Sequence, residues 1–355
     1  MNFAEYVKEY VPKINNAIKS VYDKRLDSVK NSFLKDYYSE LSKYFLAGGK
    51  RIRPLLCIAT YNAFTKNKDD KIVFPSVGVE FIHNASLIHD DIIDKDDFRR
   101  GKPAFHYRFR QYHSKYDLKK MVAEDFGTNL GILGGDSAFF LGLEPFLFSE
   151  FEQDLNLKAI QYYEEVFMEL VNGVLIEVDM VNQEELQMED YIEMVSGKTA
   201  ALIEKSVLIG ATYAKVDEKY LKFLSIYAIN LGIIFQIIDD ILGTFGDAKV
   251  TGKPTDGDIR EGKKTSLLIT ALNNLNADDK NQLIQLIENP DMSDADVNKV
   301  KDLFEKANAV GNCRDMVKFY FDEAKNALEQ LKEVINESEL EFFDNLLNFV
   351  VERKF

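Results

Sequence analysis

The sequence has few of the residues and segments that mark secreted or membrane proteins. Only two cysteines occur among 355 residues, Cys57 and Cys313, and their spacing fits no metal site. A single disulfide is the alternative to the two buried, reduced thiols that we expect. The 7 prolines and the lack of long biased tracts argue against extensive disorder. The first residues do not resemble a signal peptide, and no uninterrupted apolar run approaches ~20 residues. We therefore expect a cytoplasmic protein without stable membrane insertion.

The charge balance argues against nucleic acid as the main partner. Lysine and arginine together number 44, against 59 aspartates and glutamates, which gives a formal net charge of −15. Phosphate backbones require broad basic surfaces. An acidic chain can still bind an acidic ligand where its basic residues cluster. Hydrophobic residues make up 46% of the chain, enough to bury a substantial core.

Helical periodicity dominates the sequence, and strand signals are nearly absent. The following segments are long and apolar on most faces, as is typical of buried helices: 77–94, 121–145, 157–182, 199–214 and 219–243. The acidic stretch 274–298, broken by Asn289-Pro290, predicts a helix–turn–helix. Because no sharp change of composition marks a boundary, we predict an all-α protein whose residues 1–355 form one domain.

Three aspartates end the first strongly apolar segment. Asp90 and Asp94 are four residues apart and share a helix face, with Asp91 beside them. Such a group is most often a solvated acidic helix end. At the rim of a buried helix, however, carboxylates that would otherwise repel one another suit a hard divalent cation such as magnesium, which can also bind diphosphate oxygens.

A second apolar segment also ends in paired carboxylates, Asp239 and Asp240. Two unrelated acidic helix ends would give the same pattern. If the two sites faced each other across a bundle core, they would bind one polyanion through several metal ions. The repetition of the pattern favours this second interpretation.

Basic residues gather in loops near these motifs. Lys50, Arg51 and Arg53 follow two glycines and enter a helix at Pro54, where backbone amides and the helix dipole also favour anions. Further polar and cationic candidates are Arg99, Arg100, Lys198, Thr199, Lys253, Lys263 and Lys264. Together they predict diphosphate pockets. A nucleotide P-loop at Lys198 is excluded because Ile192 stands where a glycine is required.

Zinc chemistry and nucleophilic catalysis have little support in the sequence. His83 and His89 lie near the first aspartates, but they do not form an HxxxH-type pair. No arrangement of Cys, His and Asn or of Ser, His and Asp stands out. An acidic calcium-binding protein is disfavoured because no EF-hand loop occurs.

Taken in order, the motifs resemble the trans-isoprenyl diphosphate synthase family, and archaeal geranylgeranyl diphosphate synthases in particular. The matching stretches cover nearly the whole chain: GGKRIRP (48–54), HNASLIHDDIID (83–94), RRGKP (99–103), GKTAAL (197–202), FQIIDDILG (235–243) and GKPTDGDIREGKKT (252–265). The resemblance implies the isoprenoid synthase fold, an antiparallel helical bundle around a central cavity. It also implies a homodimer that condenses isopentenyl diphosphate with an allylic diphosphate, namely the dimethylallyl, geranyl or farnesyl compound.

The resemblance also implies roles for individual residues. Asp90, Asp94 and Asp239 would bind two or three magnesium ions, with Asp91 and Asp240 in support. The positions that match the isopentenyl diphosphate site are Lys50, Arg53, His83 and Arg100. The positions that match the allylic diphosphate site are Arg99, Lys198, Thr199, Gln236, Lys253 and Lys263.

One position departs from the family's usual second motif. Where DDxxD has a third aspartate, this chain has Gly243, as archaeal members do. Gly243 lies one helical turn after Asp239, so a carboxylate is missing from that face. We expect activity to survive this change, with weaker affinity for a third metal ion.

Small residues before the first motif bear on product length. Ala85 and Ser86 lie one turn before Asp90, and in the family bulky residues there stop chain growth early. Their small size predicts a product longer than fifteen carbons, and we favour the twenty-carbon geranylgeranyl diphosphate. Phe81, or Phe139 and Phe140 on the next helix, are candidates for the cavity floor. Small core residues without this role, and longer products, stay open.

Two other classes of protein remain alternatives. A class I terpene cyclase shares aspartate-rich metal chemistry, but it does not need GGKRIRP, and its second motif usually mixes Asn, Ser or Thr with Glu. A non-catalytic subunit of a heteromeric synthase typically loses an aspartate motif, whereas the first motif is intact here. Both comparisons favour a prenyl-elongating enzyme.

Overall fold

Helices provide nearly all of the regular structure in the computed structural model, which describes residues 2–65, 69–99, 101–181, 183, 185–246 and 255–352. Within these residues, the strands are limited to β1 (Phe98–Arg99) and β2 (Lys102–Pro103), which pair antiparallel. The all-α class predicted from the sequence is confirmed.

The chain divides into two compact units. Unit 1 comprises Met1–Glu164 and Ser206–Val216, and unit 2 comprises Glu165–Lys205 and Asp217–Phe355. The single domain predicted from composition stays a prediction.

Unit 1 begins at the N-terminus. It contains the helices α1 (Phe3–Ser28), α2 (Ser32–Phe45), α3 (Ile52–Phe64), α4 (Val73–Ser76), α5 (Gly78–Ile93), α6 (Phe105–Tyr112), α7 (Ala123–Leu141), α8 (Glu144–Leu147) and the start of α9 (Gln153–Met180), with 3₁₀ turns at Asp70–Ile72 and His113–Tyr116. Unit 2 contains the rest of α9, α10 (Met188–Val195), a π-helix (Ser196–Ala200), the start of α11 (Ala201–Tyr213), α12 (Glu218–Phe245), α13 (Gly257–Arg260), α14 (Ser266–Asn274), α15 (Ala277–Ile287), α16 (Asp294–Lys306), α17 (Ala309–Glu329) and α18 (Glu337–Val351). The end of α11 belongs to unit 1.

Side-chain caps explain where several of these helices begin. Asn2 accepts a hydrogen bond from the Glu5 amide, and the Glu5 carboxylate accepts one from the Asn2 amide, which forms a capping box. Ser293 and Asp296 form the same motif at the start of α16. Because α15 ends before Asn289-Pro290 and α16 starts after it, the predicted helix–turn–helix is confirmed.

Helix α5 lies in the core of unit 1 and packs against α3, α6 and α7. Phe81 is fully buried, with its ring centroid 4.9 Å from that of Phe45 and 5.6 Å from that of Tyr22. Each fully buried aromatic or aliphatic side chain contributes about 1.5–3 kcal/mol to folding. This core positions the C-terminal end of α5, where the first aspartate motif lies.

Both cysteines are free and buried, as predicted. Burial raises the pKa of the Cys57 thiol, so it stays protonated and unreactive. Two stretches, Ala123–Leu147 and Glu218–Phe245, are long and apolar enough to cross a membrane. Half of the apolar window of each is buried inside the protein, and core helices of soluble proteins pass the same test, so this is weak evidence for a membrane span.

A close backbone approach between α11 and α3 gives a stability prediction. A Cβ at Gly210 would lie 2.3 Å from the carbonyl oxygen of Cys57, so Gly210→Ala forces the two helices apart. We expect a loss of about 1–3 kcal/mol in the free energy of unfolding, measured by denaturant titration. The matched control is Gly257→Ala, whose Cβ would meet only Glu261 Oε1, at 4.0 Å. Equal stability of the two variants would contradict the prediction.

Candidate active site

Four polar side chains share one half-exposed face of α5. Asp90 and Asp94 are one turn apart, and Ser86 and His83 continue the same face toward the N-terminus. This arrangement follows from spacings of three and four residues in a helix. It places the two carboxylates at the end of a buried helix, as the sequence predicts.

Asp91 has a different environment from its neighbours. Its carboxylate is fully buried, where Oδ1 accepts a hydrogen bond from Arg99 Nε at 2.5 Å and Oδ2 accepts one from the Tyr44 hydroxyl at 3.1 Å. Burial raises the pKa of Asp91 to about 6, although Arg99 and Tyr44 act in the opposite direction. Asp91 is therefore placed to hold the end of α5 against α2 and the β1–β2 hairpin.

The basic loop before α3 presents fewer cations than its sequence suggests. Lys50 is exposed and Arg53 is half-buried. Arg51, in contrast, is buried and forms an ion pair with Glu80 of α5 at 2.7 Å. The expectation of three cations available to a ligand is therefore wrong for Arg51, because its guanidinium points into unit 1.

Arg99, predicted to contact the allylic diphosphate, lies at the β1–β2 hairpin. Its guanidinium forms the ion pair with Asp91, and 18% of its side chain is exposed. Its predicted substrate contact stays a prediction. Arg100 lies outside the described residues.

In unit 2, the π-helix carries Lys198 and Thr199. It packs so closely on α9 that a Cβ at Gly173 would lie 2.2 Å from the Lys198 backbone nitrogen. Lys198 Nζ forms an ion pair with Glu177 Oε2 at 2.5 Å. Single π-helical turns within α-helices are frequent at functional sites.

A chain of hydrogen bonds connects three of the predicted residues. Thr199 Oγ1 donates to Gln236 Oε1 at 2.9 Å, and Gln236 Nε2 donates to Asp240 Oδ1 at 3.0 Å. Asp240 Oδ2 accepts from the Tyr191 hydroxyl at 2.7 Å and from both the amide and the hydroxyl of Ser266. Burial raises the pKa of Asp240, and these four donors oppose that rise. Asp239, the neighbouring carboxylate, is half-exposed.

A polar cavity of about 120 Å³ lies beside this hydrogen-bonded chain. Lys198, Lys263 and Lys264 line it together with the carboxylates of Glu177 and Asp258. The three lysines are balanced by three carboxylates of the lining, those of Glu177, Asp240 and Asp258, and lysine ammonium groups are suited to bind phosphate. Lys253, also predicted to bind substrate, lies outside the described residues.

Gly243 does not leave an open space at the third position of the second motif. Oδ2 of Asp258 lies 2.8 Å from the place that a Cβ at Gly243 would take. A carboxylate from α13, that of Asp258, therefore lies where the side chain of a third motif aspartate would begin. Lys263 Nζ lies 3.8 Å from Asp258 Oδ1.

The residues predicted to bear on chain length divide between two sides of α5. Ser86 shares the Asp90 face, whereas Ala85 is fully buried. Phe81 is nine residues from Asp90, about two and a half turns, so it points to the opposite face and packs on Tyr22 and Phe45. Phe81 therefore packs into the core of unit 1, and its candidate role in the cavity floor stays a prediction.

The two phenylalanines of α7 are also placed differently from each other. Phe140 is 76% exposed. Phe139 is half-buried, and its ring lies 5.7 Å from that of His89 on α5. Of the three floor candidates, Phe139 alone combines partial burial with contact to α5.

The chemistry of the carboxylates fits magnesium. Among the described residues, no three side chains of His, Cys, Asp or Glu converge into a ready-made metal cage. Magnesium does not need one, because it keeps several waters and is bound by one or two carboxylates together with substrate phosphates. The half-exposed pair Asp90 and Asp94 and the half-exposed Asp239 meet that requirement.

Several residues at the site escaped the sequence analysis. Tyr44, Glu177, Tyr191, Asp258 and Ser266 all contact predicted residues. Asp258 could have been noticed in the sequence, because it lies inside a matched motif. No feature of the sequence pointed to the two tyrosines. Their roles depend on tertiary contacts between distant segments.

Comparison with known proteins agrees with this geometry. A model of the polyprenyl synthetase family matches residues 35–305. A geranylgeranyl diphosphate synthase of Saccharolobus solfataricus is 31% identical over 353 residues, which cover 98% of this chain and 97% of that one. A geranylfarnesyl diphosphate synthase of Aeropyrum pernix is 31% identical over 311 residues, covering 86% and 91% of the two chains.

A solved structure shows the same similarity at the level of the fold. The geranylgeranyl pyrophosphate synthase of Corynebacterium glutamicum, complexed with isoprenyl diphosphate and magnesium, aligns with a TM-score of 0.90 and 25% identity over 100% of both chains. The chain thus has the isoprenoid synthase fold. It belongs to the polyprenyl synthetase family, and it is a prenyltransferase that elongates trans-prenyl chains.

The contact between Gly243 and Asp258 gives a prediction about the second motif. We expect Gly243→Asp to bring no gain in magnesium affinity and to lower kcat/KM about tenfold, or about 1.4 kcal/mol, because the new side chain displaces the Asp258 carboxylate. The measurement is a magnesium titration of prenyltransferase activity. Gly243→Ala and Gly243→Asn, which add bulk without charge, are the controls. Tighter magnesium binding at unchanged kcat/KM would show that Asp258 does not replace the missing aspartate.

Proposed function

We propose that this chain condenses isopentenyl diphosphate head-to-tail with an allylic diphosphate to give geranylgeranyl diphosphate, with twenty carbons. The observation that carries the proposal is shared by both aspartate motifs. In each, one carboxylate is buried and hydrogen-bonded while its neighbour is half-exposed. The half-exposed carboxylates, Asp90, Asp94 and Asp239, are the metal-binding candidates, and cations lie near both motifs.

Each group of residues has a defined task in this proposal. Asp90, Asp94 and Asp239 hold two or three magnesium ions, and Lys198 and Lys263 bind the allylic diphosphate. Magnesium, when bound, supplies positive charge that stabilises the leaving diphosphate. Asp91 and Asp240 keep the motifs oriented through their buried hydrogen bonds.

The chemistry then needs no further acid or base from the protein. The allylic C–O bond ionises, and the electrons go to the diphosphate that the lysines hold. The double bond of isopentenyl diphosphate attacks the allylic cation, and the departing diphosphate accepts the proton that is lost. Apolar side chains around the growing tail exclude water, which would otherwise quench the cation. Lys50, Arg53 and His83 are the residues that we assign to isopentenyl diphosphate.

The proposed product length depends on Ser86. Its small side chain lies on the same face as Asp90, so an elongating tail that leaves the metal site along α5 has room at this position one turn below, beside Leu87. Longer products are the alternative, and the 31% identity to the geranylfarnesyl diphosphate synthase of Aeropyrum pernix supports keeping it.

We propose a cytoplasmic homodimer. An exposed apolar surface of unit 1 supports the dimer. It is an open groove at α7, lined by Phe33, Tyr116, Met121, Ile132 and Leu133. Burial of such a face against a second copy removes apolar surface from water. Sedimentation of the purified chain tests the assembly, and a monomer at micromolar concentration would contradict it.

Product analysis tests the main proposal. The purified chain, incubated with isopentenyl diphosphate, magnesium and each of the three allylic starters separately, is expected to form linear products that end at twenty carbons by mass spectrometry. Asp90→Ala is expected to reduce turnover at least a thousandfold, about 4 kcal/mol. The control is Asp302→Ala, at an exposed aspartate of α16, and it is expected to retain turnover.

The products decide between the proposals. A series of products longer than twenty carbons favours the longer-chain alternative. Cyclic hydrocarbons would contradict elongation, and no turnover from any starter would favour a non-catalytic subunit.

A substitution at Ser86 tests the route of the tail. Ser86→Phe places a bulky ring one turn below Asp90, so we expect the main product to shorten from twenty to fifteen carbons at nearly unchanged consumption of dimethylallyl diphosphate. Ser86→Ala, which stays small, is the control and is expected to keep the twenty-carbon product. An unchanged product from Ser86→Phe would show that the tail does not pass this face of α5.

A further inference from the structure

The loop before α3 has an unfavourable backbone conformation. Gly48 and Gly49 have φ values of 119° and 123°, which glycine adopts readily. Arg51, which is not a glycine, has a φ of 54°. A left-handed conformation at such a residue costs about 1 kcal/mol or more and persists where surrounding contacts enforce it. The loop that carries Lys50 and leads to Arg53, in the first turn of α3, is therefore held in place by specific contacts.

The contacts that enforce this conformation come from the Arg51 side chain. Its guanidinium is fully buried and donates to Glu80 Oε1 at 2.7 Å, to Asn15 Oδ1 at 3.0 Å and to the Phe45 carbonyl oxygen at 2.6 Å. Glu80 is 3% exposed, and its Oε1 also accepts from Asn84 Nδ2 at 3.0 Å. We call Arg51, Glu80, Asn15 and Asn84 the Arg51 network.

The Arg51 network connects two segments that have a common predicted ligand. Arg51 lies between Lys50 and Arg53, and Glu80 lies one turn before His83 on α5. All three flanking residues are assigned above to isopentenyl diphosphate. A buried ion pair is weak evidence for stability, because well-packed apolar residues often replace one without loss. Its position at a strained loop points instead to a role in placing the neighbouring side chains.

We propose that Arg51 and Glu80 are positioning residues for isopentenyl diphosphate. Their ion pair fixes the loop 48–51 and the first turn of α3 against α5, so that Lys50, Arg53 and His83 meet the same diphosphate. The proposal rests on the function proposed above and adds to it two residues that do not touch the substrate. Without the ion pair, the loop samples several conformations, and the apparent affinity for isopentenyl diphosphate falls by the fraction of time spent in the competent one.

The test is steady-state kinetics of the full chain with isopentenyl diphosphate varied at saturating allylic diphosphate and magnesium, and then the reverse. The main variant is Arg51→Met/Glu80→Met, which replaces the buried ion pair with apolar side chains of similar size. We expect the KM for isopentenyl diphosphate to rise about tenfold, with the KM for the allylic substrate within about twofold of wild type. Arg51→Lys, which keeps the charge but loses the planar fork, is expected to give an intermediate rise.

A matched control exists in the same unit. Arg108 and Glu40 form a largely buried ion pair between α6 and α2, so Arg108→Met/Glu40→Met makes the same chemical change away from the loop. It is expected to leave the KM for isopentenyl diphosphate unchanged. Asn15→Ala removes one contact of the network and no charge, and it serves if the double variant does not fold, as judged by circular dichroism. It is expected to raise that KM about threefold, or about 0.6 kcal/mol.

The outcomes separate the two proposals. A wild-type chain without turnover from any allylic starter overturns the proposed function, and the positioning role with it. If the wild type is active and the folded Arg51→Met/Glu80→Met variant has an unchanged KM for isopentenyl diphosphate, the positioning role alone is overturned. If that double variant is unfolded, an unchanged KM in Asn15→Ala has the same meaning. An equal rise of both KM values, or the same rise in the Arg108→Met/Glu40→Met control, shows a general structural effect and overturns it as well.

Discussion

The site depends on one constraint, which is that a carboxylate can be buried only where hydrogen bonds compensate for its lost hydration. Asp91 and Asp240 satisfy it with different partners, Arg99 and Tyr44 for the first and Tyr191, Gln236 and Ser266 for the second. Successive residues of a helix are rotated by about 100°. Fixing the buried aspartate therefore fixes the direction of its half-exposed neighbour. In each motif, therefore, one aspartate anchors the helix end and its neighbour is half-exposed.

This constraint also shows what the sequence could and could not predict. Spacing along a helix is a local property, so the helices and the shared face of Asp90 and Asp94 followed from the sequence. Which of several adjacent charges turns inward depends on distant partners. Lys50, Arg51 and Arg53 look equivalent in sequence, yet Arg51 is the one that meets Glu80, 29 residues later. Only the fold brings that carboxylate under the loop, so the burial of Arg51 could not be predicted.

The same limitation explains the residues of unit 2 that the sequence analysis missed. Glu177 and Asp258 come from α9 and α13, and each lies beside a lysine of the polar cavity. In the cavity, these carboxylates balance the lysine charges, which limits the repulsion among Lys198, Lys263 and Lys264. In the function proposed above, the allylic diphosphate takes over that balancing role. Carboxylates within a lysine-rich pocket lower the electrostatic repulsion that the lysines would otherwise add to the folded state.

The rotation of α5 also restricts where product length can be controlled. Residues that share the Asp90 face lie three, four, seven or eight positions away, and Ser86 is among them. Ala85 and Phe81 are not, and both are fully buried. A bulkier residue at position 85 would therefore first disturb the packing of α5 and only indirectly the path of the tail. Among the floor candidates of α7, Phe139 contacts α5, and it does so at His89, the residue before Asp90. Along the face that leads away from Asp90, α5 presents Ser86 and His83 beside the larger apolar side chains of Leu87 and Ile82, so Ser86 is the small residue of that face.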